Sequence, residues 1–154
     1  MTGREDKKSN DLFFVCSLIE LIARKTKNHR CDIVNTLGEE CLRKIYNLAD
    51  VYHCEDINNV ADEFICKAGI KNGNFDNISN ARFNIPTHWD IGKVYKRLIL
   101  GIAEEKSMDI ISSLIEAYSS FVSGKIDDYN SSFYYDSPEN ILLAFNEGTT
   151  ESRM

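Results

Sequence analysis

Apolar side chains recur every third or fourth residue along nearly the whole chain, which is the spacing of one face of an α-helix. The pattern is regular over 57–68, where positions i, i+3, i+4 and i+7 are apolar. Over 11–25 two apolar stripes run side by side, and a helix that is apolar on two sides usually lies inside a core. No segment alternates as a half-buried strand does. The pattern therefore predicts an all-α fold, a compact bundle of about six to seven helices without significant sheet.

Capping residues and glycines divide this pattern into separate helices. We expect helices over 11–25, 31–38, 39–53, 57–68, 88–104 and 108–123, and a last one from 138 to 148. Thr87 and Asp90 have the spacing of a capping box, and Ser137 followed by Pro138 is a strong helix start. The segment 71–85 lacks periodicity and is predicted to be a loop. Residues 1–9 and 149–154 are expected to be flexible ends of one domain that covers 1–154.

Charge is distributed unevenly along the chain. The formal net charge is −6, and residues 104–154 alone carry 3 Lys and Arg against 10 Asp and Glu, a net of −7. An acidic segment repels phosphate and attracts cations, so nucleic acid is an unfavourable partner and a basic protein a favourable one. The region 32–68 has helices short enough for a helix-turn-helix, but the helix from Glu39 carries Glu39, Glu40 and Asp50 besides Arg43 and Lys44, and that charge balance argues against DNA binding.

The cysteines and the apolar runs bear on the compartment. Five cysteines, an odd number with no C-x-x-C pair, are typical of a reducing compartment. Cys16, Cys41 and Cys66 fall at apolar helical positions, and we expect them to be small core residues. No run approaches the roughly 18 apolar residues that a membrane span needs, and no small-residue cleavage site follows the first helix. We therefore expect a cytoplasmic protein without a membrane anchor.

Motifs for catalysis and metal binding are weak in this sequence. It has no G-x-S-x-G, no H-E-x-x-H and no phosphate-binding glycine loop. The run HCED at 53–56, taken with His29 and Cys31, lacks the regular short ligand pairs of zinc sites. We therefore predict neither a metal nor a cofactor.

Two arginine–histidine spacings support an alternative, catalytic interpretation. Four residues separate Arg24 from His29, and five separate Arg82 from His88. Helical ribonucleases of the HEPN type use an Arg about four to six residues before a His, and such a pair could orient and protonate the ribose-phosphate during cleavage. Those enzymes usually place Asn, Asp or His directly after the Arg, whereas a lysine and a phenylalanine follow here.

Two segments carry side chains suited to protein contact. The first lies on the polar side of the helix over 88–104 and comprises Trp89, Lys93 and Lys96. The second lies in the acidic, tyrosine-rich stretch KIDDYNSSFYYDSPEN and comprises Asp127, Asp128, Tyr134 and Tyr135. Each has a structural alternative: the tryptophan packs over the preceding loop, and the tyrosines hold their own loop against the core.

Three stretches, DIVNTLGEECLRKIYNLADVYHCE, IPTHWDIGKVYKRLI and DDYNSSFYYDSPENIL, resemble a family of small uncharacterised bacterial proteins. The resemblance covers most of the chain, residues 11–148. Such proteins are similar in kind to those encoded in small cassettes with ADP-ribosyltransferase-like proteins, which implies a toxin–antitoxin or defence setting. The family has no established activity, so no catalytic residue carries over. We expect a non-catalytic protein-binding module of the antitoxin or immunity type, with an ADP-ribosyltransferase-like toxin as the implied partner.

Overall fold

The chain folds into α-helices joined by short connections and one long loop. The computed structural model describes residues 2–79 and 81–151, and the side chains of 7–79 and 81–148. Its elements are α1 (Thr2–Thr26), α2 (Arg30–Asn47), α3 (Ala49–Tyr52), α4 (Ile57–Ala68), α5 (His88–Lys106), α6 (Ile110–Ser119), α7 (Phe121–Asp127), a 3-10 turn (Phe133–Tyr135) and α8 (Pro138–Glu151). No strand occurs in this part of the chain, which confirms the all-α prediction. None of these helices has the length and apolarity that a membrane span requires.

Helix α1 lies at the centre of the fold, as its two apolar stripes predict. Helices α2, α3 and α4 pack on one part of it, and α5 packs along another. Its buried apolar side chains are Leu12, Phe14, Val15, Cys16, Leu18, Ile19, Leu21, Ile22 and Ala23. Helix α6 packs across α5 and α2, and α8 packs on α5 and α7. The polar loop from α4 to α5 and the segment 128–136 remain on the outside of this bundle.

A glycine sets how closely α5 approaches α1. A Cβ atom added at Gly92 would lie 2.9 Å from the backbone nitrogen of Ser17. Real Cβ atoms essentially never come that close to another heavy atom. The absence of a side chain at this position therefore lets the two longest helices of the core pack with their backbones nearly in contact.

Several helix ends match the local signals. Thr87 and Asp90 form both hydrogen bonds of the capping box at the start of α5. Helix α4 has the predicted bounds and ends at Gly69 in the left-handed conformation, with φ 65°. At the start of α8 the backbone N–H of Asn140 donates to Oγ of Ser137 at 3.1 Å. These ends depend only on residues within one helical turn, so sequence spacing predicts them well.

The first and last helices extend beyond their predicted bounds. Helix α1 begins at Thr2, so the predicted start of the first helix at residue 11 is wrong. Helix α8 continues past Gly148 to Glu151. Met1 and residues 152–154, for which flexibility was also predicted, lie outside the described residues.

Other boundaries differ because backbone breaks do not always coincide with glycine. Helix α2 starts at Arg30, one residue before the expected 31, and Gly38 (φ 82°, ψ 161°) breaks its backbone at the predicted boundary, so that α2 consists of two helical segments joined by a kink. The helix expected to continue to residue 53 divides at Leu48 into α2 and α3. The helix expected over 108–123 divides at Ser120, which is extended (ψ 164°), and Gly124 lies inside α7.

The cysteines occupy three different environments, and all five are free thiols. Cys16 is buried in α1 and its pKa is raised by burial, as expected of a core thiol. Cys41 is only half-buried at the edge of the core, and Cys66 is exposed. The prediction of a core position is therefore wrong for Cys66, which lies on the solvent side of its amphipathic helix.

Candidate functional site

Three ionisable side chains meet in the interior, and we call them the buried triad: Glu20, Arg30 and Asp127. Arg30 is 1% exposed, and its Nε atom donates to Oε1 of Glu20 at 3.0 Å. The same Nε lies 3.7 Å from Oδ1 of Asp127. Arg30 also donates through Nη2 to the hydroxyl of Tyr129 at 3.3 Å. One guanidinium therefore joins three helices: α1 through Glu20, α2 through Arg30 itself and α7 through Asp127.

The two carboxyls of the buried triad are not equivalent. Glu20 accepts a hydrogen bond directly from Arg30, whereas Oδ1 of Asp127 has no hydrogen-bond donor. Burial raises the pKa of Asp127 to about 7, although the charge of Arg30 opposes that shift. Burial also raises the pKa of Glu20 against the same opposing charge. Asp127 is thus the carboxyl whose charge is the less well compensated.

Arg24 and His88, which the sequence places in different candidate pairs, lie beside each other. Nη2 of Arg24 donates to the carbonyl of Pro86 at 2.8 Å and to the hydroxyl of Tyr129 at 3.1 Å. Burial lowers the pKa of His88, and the charge of Arg24 lowers it further. Nε of Arg24 and Nε2 of His88 are both buried without a hydrogen-bond partner. The guanidinium of Arg24 is thus engaged in tying α1 to the entry of α5.

The other two members of the candidate pairs have different neighbours. His29 is exposed, and its ring lies 4.0 Å from the ring of Phe75, measured between centroids. Arg82 is exposed, and its backbone N–H donates to Oδ1 of Asn130 at 2.7 Å. Arg24 therefore neighbours His88, the histidine of the other pair that the spacing predicts.

An open depression of about 360 Å³, here called the acidic cleft, lies between the long loop and the end of α7. Its lining residues are His29, Phe75, Asp76, Asn77, Gly124, Asp127, Asp128, Tyr129 and Asn130. The hydroxyl and N–H of Ser79 and the N–H of Ile78 donate to Asp76 and lower its pKa to about 2. Asn77 donates to the carbonyl of Asp127 at 2.8 Å and so holds the loop against α7.

A second depression of about 330 Å³, here called the aromatic cleft, lies on the other side of the segment 128–136. Its lining residues are Asn84, Ile85, Pro86, Asp90, Lys93, Val94, Tyr134 and Tyr135. Two of these lining side chains are large and exposed, Ile85 (44%) and Tyr135 (70%), and the exposed Phe83 (63%) and Trp89 (37%) are the chain neighbours of Asn84 and Asp90. The fold thus brings Lys93 together with Tyr134 and Tyr135, which the sequence assigned to two separate surfaces.

Two residues assigned to the exposed contact surface are in fact buried. Asp127 is 5% exposed because it belongs to the buried triad. Tyr134 is 6% exposed because its ring packs against those of Tyr129 and Tyr135, at centroid distances of 5.7 Å and 4.2 Å. Neither side chain can form part of an exposed contact face. Asp128 and Tyr135 remain accessible to a partner.

Trp89 packs on α1, which neither of the two sequence interpretations anticipated. Its ring lies 5.5 Å from that of Phe13 and 4.8 Å from that of His88. The ammonium group of Lys96 lies 5.9 Å from the centroid of the same Phe13 ring. Burial lowers the pKa of Lys96, and the neighbouring charges of Arg97 and Lys93 lower it further. Trp89 and Lys96 therefore contact the same ring on α1.

Sequence reasoning missed the roles of Glu20, Arg30, Phe75 and Ile85. One signal could have revealed the first of them. Glu20 interrupts the apolar run LIELIA at 18–23, and a carboxylate inside a two-sided apolar helix must find a buried cation or lose its charge. Nothing in the local sequence identifies Arg30 as that cation, because several basic residues lie nearby.

No three or more His, Cys, Asp or Glu side chains within residues 7–79 and 81–148 are grouped so that they could hold a metal ion. The chain matches no protein-family model, no curated protein and no solved structure.

Proposed function

We propose that this protein is a non-catalytic binding module of the antitoxin or immunity type, which neutralises or regulates a cognate protein partner through the aromatic cleft. The observation that carries the proposal is the meeting of the exposed Ile85 and Tyr135 at one depression, whose lining residues Asn84 and Asp90 directly follow the exposed Phe83 and Trp89 in the chain. Tyr135 comes from a segment far from the other three. Clustered exposed aromatic and aliphatic side chains are typical of protein contact surfaces.

The charges around this cleft define the partner's chemistry. Lys93 is exposed and lines the cleft. The nearby carboxylate of Asp90 is occupied, because it accepts the N–H of Thr87 in the capping box. We therefore expect the partner to insert an apolar side chain that is flanked by acidic residues. The resemblance described above implies that this partner is an ADP-ribosyltransferase-like toxin.

Co-expression with the protein encoded beside its gene tests the proposal. We expect a complex that survives purification, and we expect the chain to restore the growth of cells that produce that neighbour. Trp89→Ala and Tyr135→Ala should each weaken binding by about 30-fold or more, because central aromatic residues dominate interface energies. Retained helical content by circular dichroism would show that the variants are folded.

Two matched variants control for the loss of exposed apolar surface. Val51 in α3 and Leu143 in α8 are 57% and 55% exposed and line neither cleft. Val51→Ala and Leu143→Ala should leave the affinity unchanged. Unchanged binding by the Trp89→Ala/Tyr135→Ala double variant would refute the assignment of this surface.

The ribonuclease alternative makes a different prediction in a parallel assay. If the chain is an enzyme, the purified protein should cleave RNA without a partner, and His29→Ala or His88→Ala should abolish cleavage. The internal hydrogen bonds of Arg24 favour a structural role for that arginine over phosphate binding. RNA cleavage that either substitution removes would overturn the binding-module proposal.

A further inference from the structure

The acidic cleft contains a buried carboxylate that lacks a hydrogen-bond donor. Asp127 is 5% exposed, it lines the cleft, and its Oδ1 atom has no hydrogen-bond partner. Arg30 lies 3.7 Å away, but the hydrogen on its Nε atom is donated to Glu20. Arg30 therefore supplies charge to Asp127 without a hydrogen bond. Buried carboxylate oxygens rarely remain without a donor, because the loss of their hydration is costly.

The walls of the acidic cleft suit a flat cation. Asp76 and the exposed Asp128 contribute two more carboxylates to its lining. Hydrogen bonds from the 78–79 turn keep Asp76 ionised, since they hold its pKa near 2. The rings of His29 and Phe75, tilted by 32° with their centroids 4.0 Å apart, form an aromatic wall. Carboxylates beside aromatic rings are the surroundings in which guanidinium groups bind, by paired hydrogen bonds and by stacking.

We propose that the acidic cleft is a binding site for a guanidinium group, with Asp127 as its buried acceptor and Asp128 as its outer acceptor, while the charge of Asp76 adds to the negative potential of the cleft. A partner's arginine side chain and a free guanidinium compound share this chemistry. If the ligand is a partner's arginine, the inference rests on the proposed function, and the acidic cleft is a second surface, besides the aromatic cleft, that contacts the partner. The site itself is tested on the isolated protein, so its failure is distinguishable from failure of the aromatic cleft.

Titration with methylguanidinium chloride, followed by ¹H–¹⁵N NMR, tests the site directly. We expect saturable shifts of the amide signals of residues 75–77 and 127–130, with a dissociation constant in the millimolar range. Methylammonium chloride at equal ionic strength should bind about tenfold more weakly, because it cannot form paired hydrogen bonds with a carboxylate. Equal shifts from the two salts would overturn the proposal.

Substitutions separate the site from general salt effects. Asp127→Asn should weaken methylguanidinium binding about tenfold, since it removes a charged acceptor. Asp128→Asn tests the same site at an exposed position where folding is not in question, and it should weaken binding severalfold. Asp32→Asn, an exposed carboxylate outside the cleft, should change nothing. Unchanged affinity in both Asp127→Asn and Asp128→Asn would refute the site.

Two further ligands identify the source of the guanidinium group. Tighter binding of a blocked Gly-Arg-Gly peptide than of free arginine points to a protein side chain, and the reverse points to a small molecule. A blocked Gly-Lys-Gly peptide should bind more weakly than the arginine peptide. Equal binding of the lysine and arginine peptides would contradict guanidinium recognition.

Discussion

Replacing Arg30 with methionine should destabilise the protein strongly and in a pH-dependent way. The substitution keeps an unbranched side chain of similar length but removes the guanidinium that joins Glu20 to Asp127. Glu20 is 0% exposed, so water cannot replace the lost cation. The folded variant must therefore bury an isolated carboxylate or bind a proton at Glu20.

The size of the stability loss follows from the free energy needed to keep Glu20 protonated in the folded variant. The ordinary pKa of the Glu20 carboxyl is 4.5, and holding it protonated costs about 1.4 kcal/mol for each pH unit above that value. At neutral pH this amounts to about 3 to 4 kcal/mol, within the range of about 3 to 5 kcal/mol known for breaking a buried ion pair. At a pH of about 5 the loss should shrink to about 1 kcal/mol.

Urea denaturation followed by circular dichroism measures this loss at both pH values. Arg97→Met is the matched control, because Arg97 is exposed and its replacement should change stability by less than about 0.5 kcal/mol. The double variant Arg30→Met/Glu20→Met should regain most of the lost stability, since an apolar pair needs no compensating charge. A loss for Arg30→Met that is small, or equal at both pH values, would refute the picture of a dry buried triad.

Three further predictions concern stability and reactivity. The folded state should lose stability as the pH rises from about 4 to about 7, and the loss should level off above that, because the pKa of Asp127 is about 7 in the folded protein against an ordinary 3.8 and the folded protein keeps a proton that the unfolded chain has released. Asp127→Asn should flatten that dependence in urea titrations. Gly92→Ala should lower the free energy of unfolding by about 1 to 3 kcal/mol in the same assay, because the added methyl group overpacks the contact with α1. Gly124→Ala, where a Cβ atom meets nothing within 4 Å, should instead stabilise the protein by about 0.5 to 1 kcal/mol. Equal effects of the two substitutions would contradict the close approach of α5 to α1. A chromogenic disulfide reagent should label the exposed Cys54 of the native protein quickly. It should label Cys16 only after unfolding, because Cys16 is buried and burial raises its pKa. Fast labelling of Cys16 in the native protein would show that the core opens readily.

Helix starts and stops were largely predictable because their causes are local. The capping box of Thr87 and Asp90 and the left-handed Gly69 each act within about one turn of their own helix. The predicted boundaries were wrong where a break had no such marker, as at Ser120, or where a glycine lies inside a helix, as at Gly124.

The candidate surfaces were only partly predictable, because their members come from distant segments. Apolar periodicity indicates which face of a helix is buried, but it does not show what covers a polar residue. Tyr135 was correctly placed on the surface, yet only the fold shows that it shares a cleft with Ile85 and Lys93. Tyr134, its neighbour in the chain, is covered by other tyrosine rings.

Local sequence patterns were enough to predict that this protein is helical, that α1 is its central helix and that its C-terminal third is acidic. Each of these properties depends on composition or on spacings of a few residues. Only the tertiary structure decided that Glu20 and Asp127 share Arg30, and which carboxylates remain open to a partner. The physical reason is that the pairing of buried charges depends on desolvation and on contacts between remote segments, and neither leaves a periodic trace in the chain.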